Sequence, residues 1–181
     1  MGDRRSGSFR DRHRGAVPAS RVRRRVRRDR SRLYGADLGD DLRPEVLVHR
    51  PRPDVAAFMF DPANDMAWTG GITASLPAQP GPLVQGATVE RTARFLGRTF
   101  TYGYLVTAHQ TDRLVELKVD KPFPVLVRYE LDDAPDGATM VAIHATGSPD
   151  GFFGWATPIM ARQVRRSITA DLHRLRDQLE T

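Results

Sequence analysis

Apolar positions between Glu45 and Thr181 recur with two different periods, and the change of period divides the chain into elements. Glu45 to His49 reads as a short strand, ended by Pro51-Arg-Pro53 because proline has no N–H to give a ladder. In Asp54 to Phe60 the residues Val55, Phe58 and Met59 fall at helical spacing. Asp61-Pro62 ends that helix and starts a second, with Asp61 as N-cap and Pro62 at the first position, and Thr69-Gly70-Gly71 stops it after Trp68. Period two then takes over in Ile72 to Leu76, Ala87 to Leu96, Thr99 to His109, Arg113 to Val119, Phe123 to Leu131 and Ala138 to Gly147. Gly97-Arg98 is a hairpin signal, and the run from Asp132 to Gly137 is a turn by composition.

The last segment returns to helical spacing: Met160, Val164, Ile168, Leu172, Leu175 and Leu179 make one apolar stripe, with Arg162, Arg166, Thr169, His173 and Arg176 opposite. Pro158 either opens this helix, with Thr157 as cap, or kinks it. No helix separates the strands after Ile72, so they should form an antiparallel meander rather than parallel crossovers. The order predicts an α+β domain, a curved antiparallel sheet of six to seven strands wrapped around a long C-terminal helix, with two short helices after the first strand. A curved sheet cannot touch a straight helix along its whole length, so a cavity between them is expected, of the kind that receives apolar small molecules.

Alternation sorts the strand residues into those facing the helix and those facing solvent. Phe123, Val125, Val127, Tyr129 and Leu131 form one inward set, and Phe100, Tyr102, Tyr104, Val106 and Ala108 another, with Thr101, Gly103, Thr107 and His109 outside. Val89, Arg91, Ala93 and Phe95 share the inward face of the preceding strand. Arg91 therefore needs an acid, a ligand or the rim, since an unpaired buried guanidinium is costly. It could meet a ligand carboxylate, phenolate or enolate, or snorkel to water. Tyr102, Tyr104 and Tyr129 offer hydroxyls that could orient a ligand carbonyl or serve as general acid, or simply bond to one another in the core. Val141, Ile143 and Ala145 look inward and Met140, Ala142 and His144 outward, while Glu116 and Lys118 read as solvent-facing. Trp68, Phe152 and Trp155 sit near the expected pocket mouth, as a cover for a ligand or as plain packing.

Charge changes the picture at one end only. Residues 1–43 hold 14 Arg and 6 Asp, whereas residues 44–181 hold 14 Lys or Arg against 16 acids. Arg21 to Arg30 carries seven arginines in ten residues and cannot form a core, so residues 1–43 are expected to be a disordered extension and residues 44–181 the folded domain. Residues 21–32 could contact nucleic acid, ribosomes or an anionic membrane without sequence preference, or be solvated with no partner; no interleaved aromatics accompany the arginines as single-strand binders usually require. A later start would need a Val codon at Val17, Val22 or Val26, because Met59 already lies inside the folded pattern.

The absence of cysteine excludes thiol nucleophiles, disulfides and thiolate metal sites. The five histidines are scattered singly, so neither a metal nor another cofactor is expected. No apolar run approaches the roughly 20 residues of a membrane span, no h-region follows Arg4-Arg5, and a cytoplasmic location is the default. No GxSxG, P-loop or GxGxxG string occurs, and no carboxylate pair suits glycoside chemistry.

Several local strings add a resemblance. Val48 to Phe58 (VHRPRPDVAAF), Phe60-Asp-Pro-Ala-Asn64 ahead of Trp68, Gly86 opening a strand, Phe95-Leu-Gly97, Pro122-Phe-Pro124 and Asp136-Gly-Ala-Thr139 are similar to the SRPBCC superfamily of START and birch-pollen-allergen-like helix-grip proteins, within it the polyketide cyclase/dehydrase-like group. The resemblance covers about residues 44–181 and implies a helix-grip fold with a hydrophobic pocket, but no shared catalytic motif. The Arg-rich segment has no counterpart in it.

Three functions are compatible with these observations. The first is binding of an apolar, aromatic, polyketide-like or lipid-like molecule between sheet and helix. The second is a polyketide cyclase or dehydratase in which Arg91 stabilises an enolate and Tyr102 or Tyr104 moves a proton. The third is an interaction protein acting through its basic tail.

Overall fold

A computed structural model describes residues 43–95, 97–121, 124–147 and 158–181, with backbone alone at 95 and 158–161. Among them, seven strands form one antiparallel sheet: β1 (Glu45–Val48), β2 (Ile72–Pro77), β3 (Thr88–Phe95), β4 (Arg98–Gln110), β5 (Leu114–Val119), β6 (Val125–Asp133) and β7 (Thr139–Gly147). The spatial order is β1-β7-β6-β5-β4-β3-β2, a meander whose last strand returns to pair with the first. The helices are α1 (Arg52–Met59), α2 (Asp65–Trp68) and α3 (Pro158–Glu180). This is the helix-grip arrangement that the order of elements predicts.

Local chemistry explains the boundaries. Helix α1 begins two residues before the expected Asp54, at Arg52, because Pro53 falls in the first turn, where a missing N–H leaves no bond unmade. The Asp61 carboxylate accepts the Ala63 N–H at 2.9 Å and caps a 3₁₀ turn (Pro62–Asn64) that leads directly into α2. Strand β6 runs two residues beyond the expected Leu131. The turn after it is a tight one in which Asp136 and Gly137 both have positive φ, 59° and 73°.

The inward face of the sheet carries the core. Val115, Leu117 and Val119 alternate with half-buried Leu114, Glu116 and Lys118 along β5, and Val106, Tyr129, Leu131, Val141 and Ile143 join them. Leu172 and Leu175 of α3 are fully buried against this face, with Val55 and Met59 of α1 in the same cluster. His173 is exposed, as its place opposite the stripe requires.

Two irregularities break strict alternation. In β2 the register shifts between Ile72 and Ala74, which sets Ser75 directly opposite Arg91. In β4 it shifts between Val106 and Ala108, so Thr107 and Ala108 together face Glu116, and His109 pairs with fully buried Val115. Ala108, expected inside, therefore shares the outer face with Glu116, and His109, expected outside, is half-buried on the inner face. His144 is outward as expected, opposite Arg128. Glu116 lies on the outer face but is not freely solvated: Arg128 lies 2.5 Å from its carboxylate, the Thr107 hydroxyl donates to it at 2.8 Å, and its side chain is only 12% exposed.

Candidate functional site

Leu172 and Leu175 close the core, while Val164, Ser167, Ile168 and Asp171 face the sheet across open space. The result is a cavity of about 250 Å³ bounded by the described residues. Its floor is the inward set of β3 to β7, including Ala93, Phe100, Val119, Val127, Ile143 and Ala145, and Trp68, Thr69, Gly71 and Ile72 add to the wall. The wall is mostly apolar; Thr69, Arg94, Ser167 and Asp171 add polar groups, and one buried ionic pole stands among them.

That pole is built around Arg91. Tyr102 and Ser75 flank it as cross-strand partners on β4 and β2, and its side chain is 5% exposed. Asp65 opens α2 and Trp68 lies one turn further on the same helix face, so both turn toward the sheet. The Asp65 carboxylate receives Arg91 in a two-point bond, Nε to Oδ2 at 2.7 Å and Nη2 to Oδ1 at 2.6 Å, and the Ser75 hydroxyl donates to Oδ2 as well. The guanidinium carbon stands 4.7 Å from the centre of the Tyr104 ring. The Tyr129 hydroxyl is within hydrogen-bonding reach of Arg91, and its ring meets Trp68 edge-on at 5.8 Å.

Burial works against the Arg91 charge, yet Tyr129, Tyr104 and Asp65 hold its pKa well above the usual arginine value. At neutral pH the tyrosines are uncharged, so Asp65 supplies the negative charge. Burial pushes the Tyr104 hydroxyl far above the ordinary tyrosine range, with Arg91 opposing, and raises Tyr129 in the same way. Both are therefore donors, not bases, near neutrality. Asp171 is also pushed up by burial, which the Gly70 N–H at 3.0 Å and the Arg174 guanidinium offset.

Two buried polar atoms of the lining have no partner, the indole Nε1 of Trp68 and the hydroxyl of Tyr104. Trp68 is 1% exposed and Tyr104 is 3% exposed. Trp68 is thus an interior wall of the cavity rather than a cover at its mouth.

The structure brings Trp68, Arg91, Tyr102, Tyr104, Tyr129 and Ile143 to one cavity. Phe152 and Trp155 lie outside the described residues, as do Leu96, Phe123, Thr157 and the side chain of Met160. Asp65, Ser75 and Asp171 were not expected at the site. The one signal that could have found Asp65 is the need of Arg91 for an acid. Ser75 carried no signal, because a bulge decides its face. Among the described residues no group of His, Asp and Glu could hold a metal ion, and no helix is long and apolar enough to cross a membrane.

Comparison with known proteins gives a consistent picture. The family model described as polyketide cyclase / dehydrase and lipid transport matches residues 41–180. Among curated proteins none matches the chain. Among solved structures, a START superfamily protein from Mycobacterium smegmatis superposes with a TM-score of 0.64 at 9% identity, covering 76% of this chain and 95% of the other. The KanY protein, solved by NMR, gives 0.63 at 16% identity, covering 77% and 97%. The di-domain ARO/CYC protein StfQ from the steffimycin biosynthetic pathway gives 0.59 at 13% identity, and there the match covers 77% of this chain but 44% of the longer protein. At these identities the likeness is one of fold.

Proposed function

Because the chain belongs to the polyketide cyclase / dehydrase and lipid transport family, we propose that it binds an apolar small molecule in the cavity between its sheet and helix α3. The observation that carries this reading is the cavity itself, about 250 Å³ with a mainly apolar lining. Close packing is the rule in protein interiors, and voids larger than a water are few. Space of this size, walled by residues from six strands and two helices, has the character of a ligand site. Trp68, Arg91, Tyr102, Tyr104, Tyr129 and Ile143 are the residues proposed to contact the ligand, with Phe152 and Trp155 as further candidates.

The test is native mass spectrometry of the full chain purified without organic solvent, beside a titration with the uncharged dye Nile red. A co-purifying small molecule that leaves on denaturation, or saturable dye fluorescence, is the expected result. A folded protein that carries nothing and leaves the dye dark would refute the reading.

A cyclase or dehydratase activity is the second reading, supported by the family description and by the unpaired hydroxyl of Tyr104, a residue of the cavity wall. The Asp65 pairing limits it. A guanidinium already neutralised by a carboxylate has less charge to offer an enolate, and Tyr104 and Tyr129, held protonated, can give a proton but not take one. Any base would have to come from elsewhere or from the substrate. Binding is therefore the primary proposal.

A further inference from the structure

We infer that the cavity selects an uncharged one- or two-ring ligand that presents a hydrogen-bond acceptor, such as an aryl ketone or ester, and rejects carboxylates of the same shape. The inference rests on the proposed function and names the ligand class for that site.

Charge comes first. A buried arginine in an apolar pocket invites an anionic ligand, but here the cation already has its counter-ion. Asp65 engages Arg91 at two points, and the pair is 1% and 5% exposed. Arg91 and Asp65 together are neutral, so a carboxylate seated against them would add a net buried negative charge, and the other cation of the lining, Arg94, is exposed rather than buried. A second carboxyl group, Asp171, lines the same cavity and faces any anion there too. Its own cation, Arg174, is already engaged with it.

The unpaired atoms give the second constraint. Nearly all buried polar side-chain groups in folded proteins have a partner, and each exception calls for an explanation. Trp68 Nε1 can only donate, so what completes it must be an acceptor. The Tyr104 hydroxyl, also unpaired, can donate to the same kind of atom. Both residues are more than nine-tenths buried and both line the cavity.

Volume sets the third. An apolar cavity of about 150 Å³ is known to hold benzene. On that scale 250 Å³ has room for two fused rings with a short substituent.

The experiment uses three naphthalene probes of nearly one shape on the full-length protein at neutral pH: 2-acetylnaphthalene, 2-ethylnaphthalene and 2-naphthoate. Affinities are read by tryptophan fluorescence and calorimetry. The ketone should bind about tenfold more tightly than the hydrocarbon, which corresponds to roughly one well-made hydrogen bond to an otherwise orphaned donor. The carboxylate should bind at least tenfold more weakly than the ketone. In Tyr104→Phe and in Trp68→Phe the ratio of ketone to hydrocarbon affinity should shrink by about threefold or more; Tyr104→Phe, which deletes one oxygen, serves if Trp68→Phe does not fold. Equal binding of ketone and hydrocarbon would show that water satisfies the two groups and overturns the inference while leaving the pocket intact. Tightest binding of 2-naphthoate would overturn it in the other direction, making Arg91 an anion receptor. Failure of all three probes with a folded protein would overturn the binding function as well.

Discussion

At the scale of single residues, the Asp65–Arg91 pair decides most of the site's character. Each ion is desolvated and each satisfies the other, so removing one partner strands a buried charge. Asp65→Asn is expected to cost about 3 kcal/mol in urea denaturation, and Arg91→Met a similar amount. The double substitution Asp65→Leu/Arg91→Met should be less destabilised than the sum by at least about 1 kcal/mol, since no unpaired charge remains. Strict additivity would mean that the two side chains do not meet in solution. Because Ser75 also donates to Asp65, Ser75→Ala leaves one lone pair unmet and should have a much smaller effect than either ionic substitution. The pairing also explains how an arginine stays on an apolar face. It is neither at the rim nor free for a ligand, but tied to a short helix placed across the cavity's end.

At the scale of elements, the helix and sheet are clasped at both ends of the described interface. Near one end Gly70 donates its N–H to Asp171, and Arg174 lies so close over Gly70 that a Cβ there would strike its guanidinium. At the other, Glu180 accepts the His49 N–H at 2.6 Å and Arg50 donates to the Leu179 carbonyl at 2.6 Å. The His49 N–H, more than its imidazole, depresses the Glu180 pKa below the ordinary glutamate value. For a carboxyl group whose folded pKa is lowered, the stabilisation is present above the unfolded pKa and is lost as pH falls through the folded one. Wild type should therefore lose stability on acidification below the usual glutamate range more steeply than Glu180→Gln, in melts taken at successive pH values. Parallel pH curves for the two proteins would show that this clasp does not form. Period counting revealed most of these elements: the inward sets of β3, β6 and β7 and the stripe of α3 follow from alternation and helical spacing alone. It failed where a strand holds an extra residue. A bulge leaves composition and period nearly untouched while reversing every later side chain, which is why Ala108 and His109 exchange faces and why Ser75 went unnoticed. Asp65 was missed for another reason. Its partner lies 26 residues away on another element, and only the demand of Arg91 for an acid connects them.

At the scale of the whole molecule, charge and cavity separate into different parts of the chain. The basic excess belongs to residues 1–43, and we propose that residues 44–181 fold without it. Deleting residues 1–40 should leave the thermal midpoint within about 2 °C, since surface changes away from packed groups seldom exceed a few tenths of a kcal/mol. It should also abolish salt-sensitive retention on heparin. A large fall in the midpoint would make the basic segment part of the fold. The cavity has the opposite standing, because it weakens the domain that holds it. Voids left by core truncations cost about 24 cal/mol per Å³ where they stay closed and dry, so any part of the 250 Å³ that stayed so would weaken packing. A domain of this length has only about 5–15 kcal/mol of net stability. Larger side chains readily close such space, and under the proposed function they would compete with the ligand for it. Ala145 lies on the cavity floor opposite Val127, buried, with open space above it. Ala145→Leu should therefore raise stability by about 1 kcal/mol and weaken Nile red binding at least tenfold, a gain in folding matched by a loss in function. A drop in stability with dye binding intact would mean that the space above Ala145 is closed in solution and that the ligand site lies elsewhere.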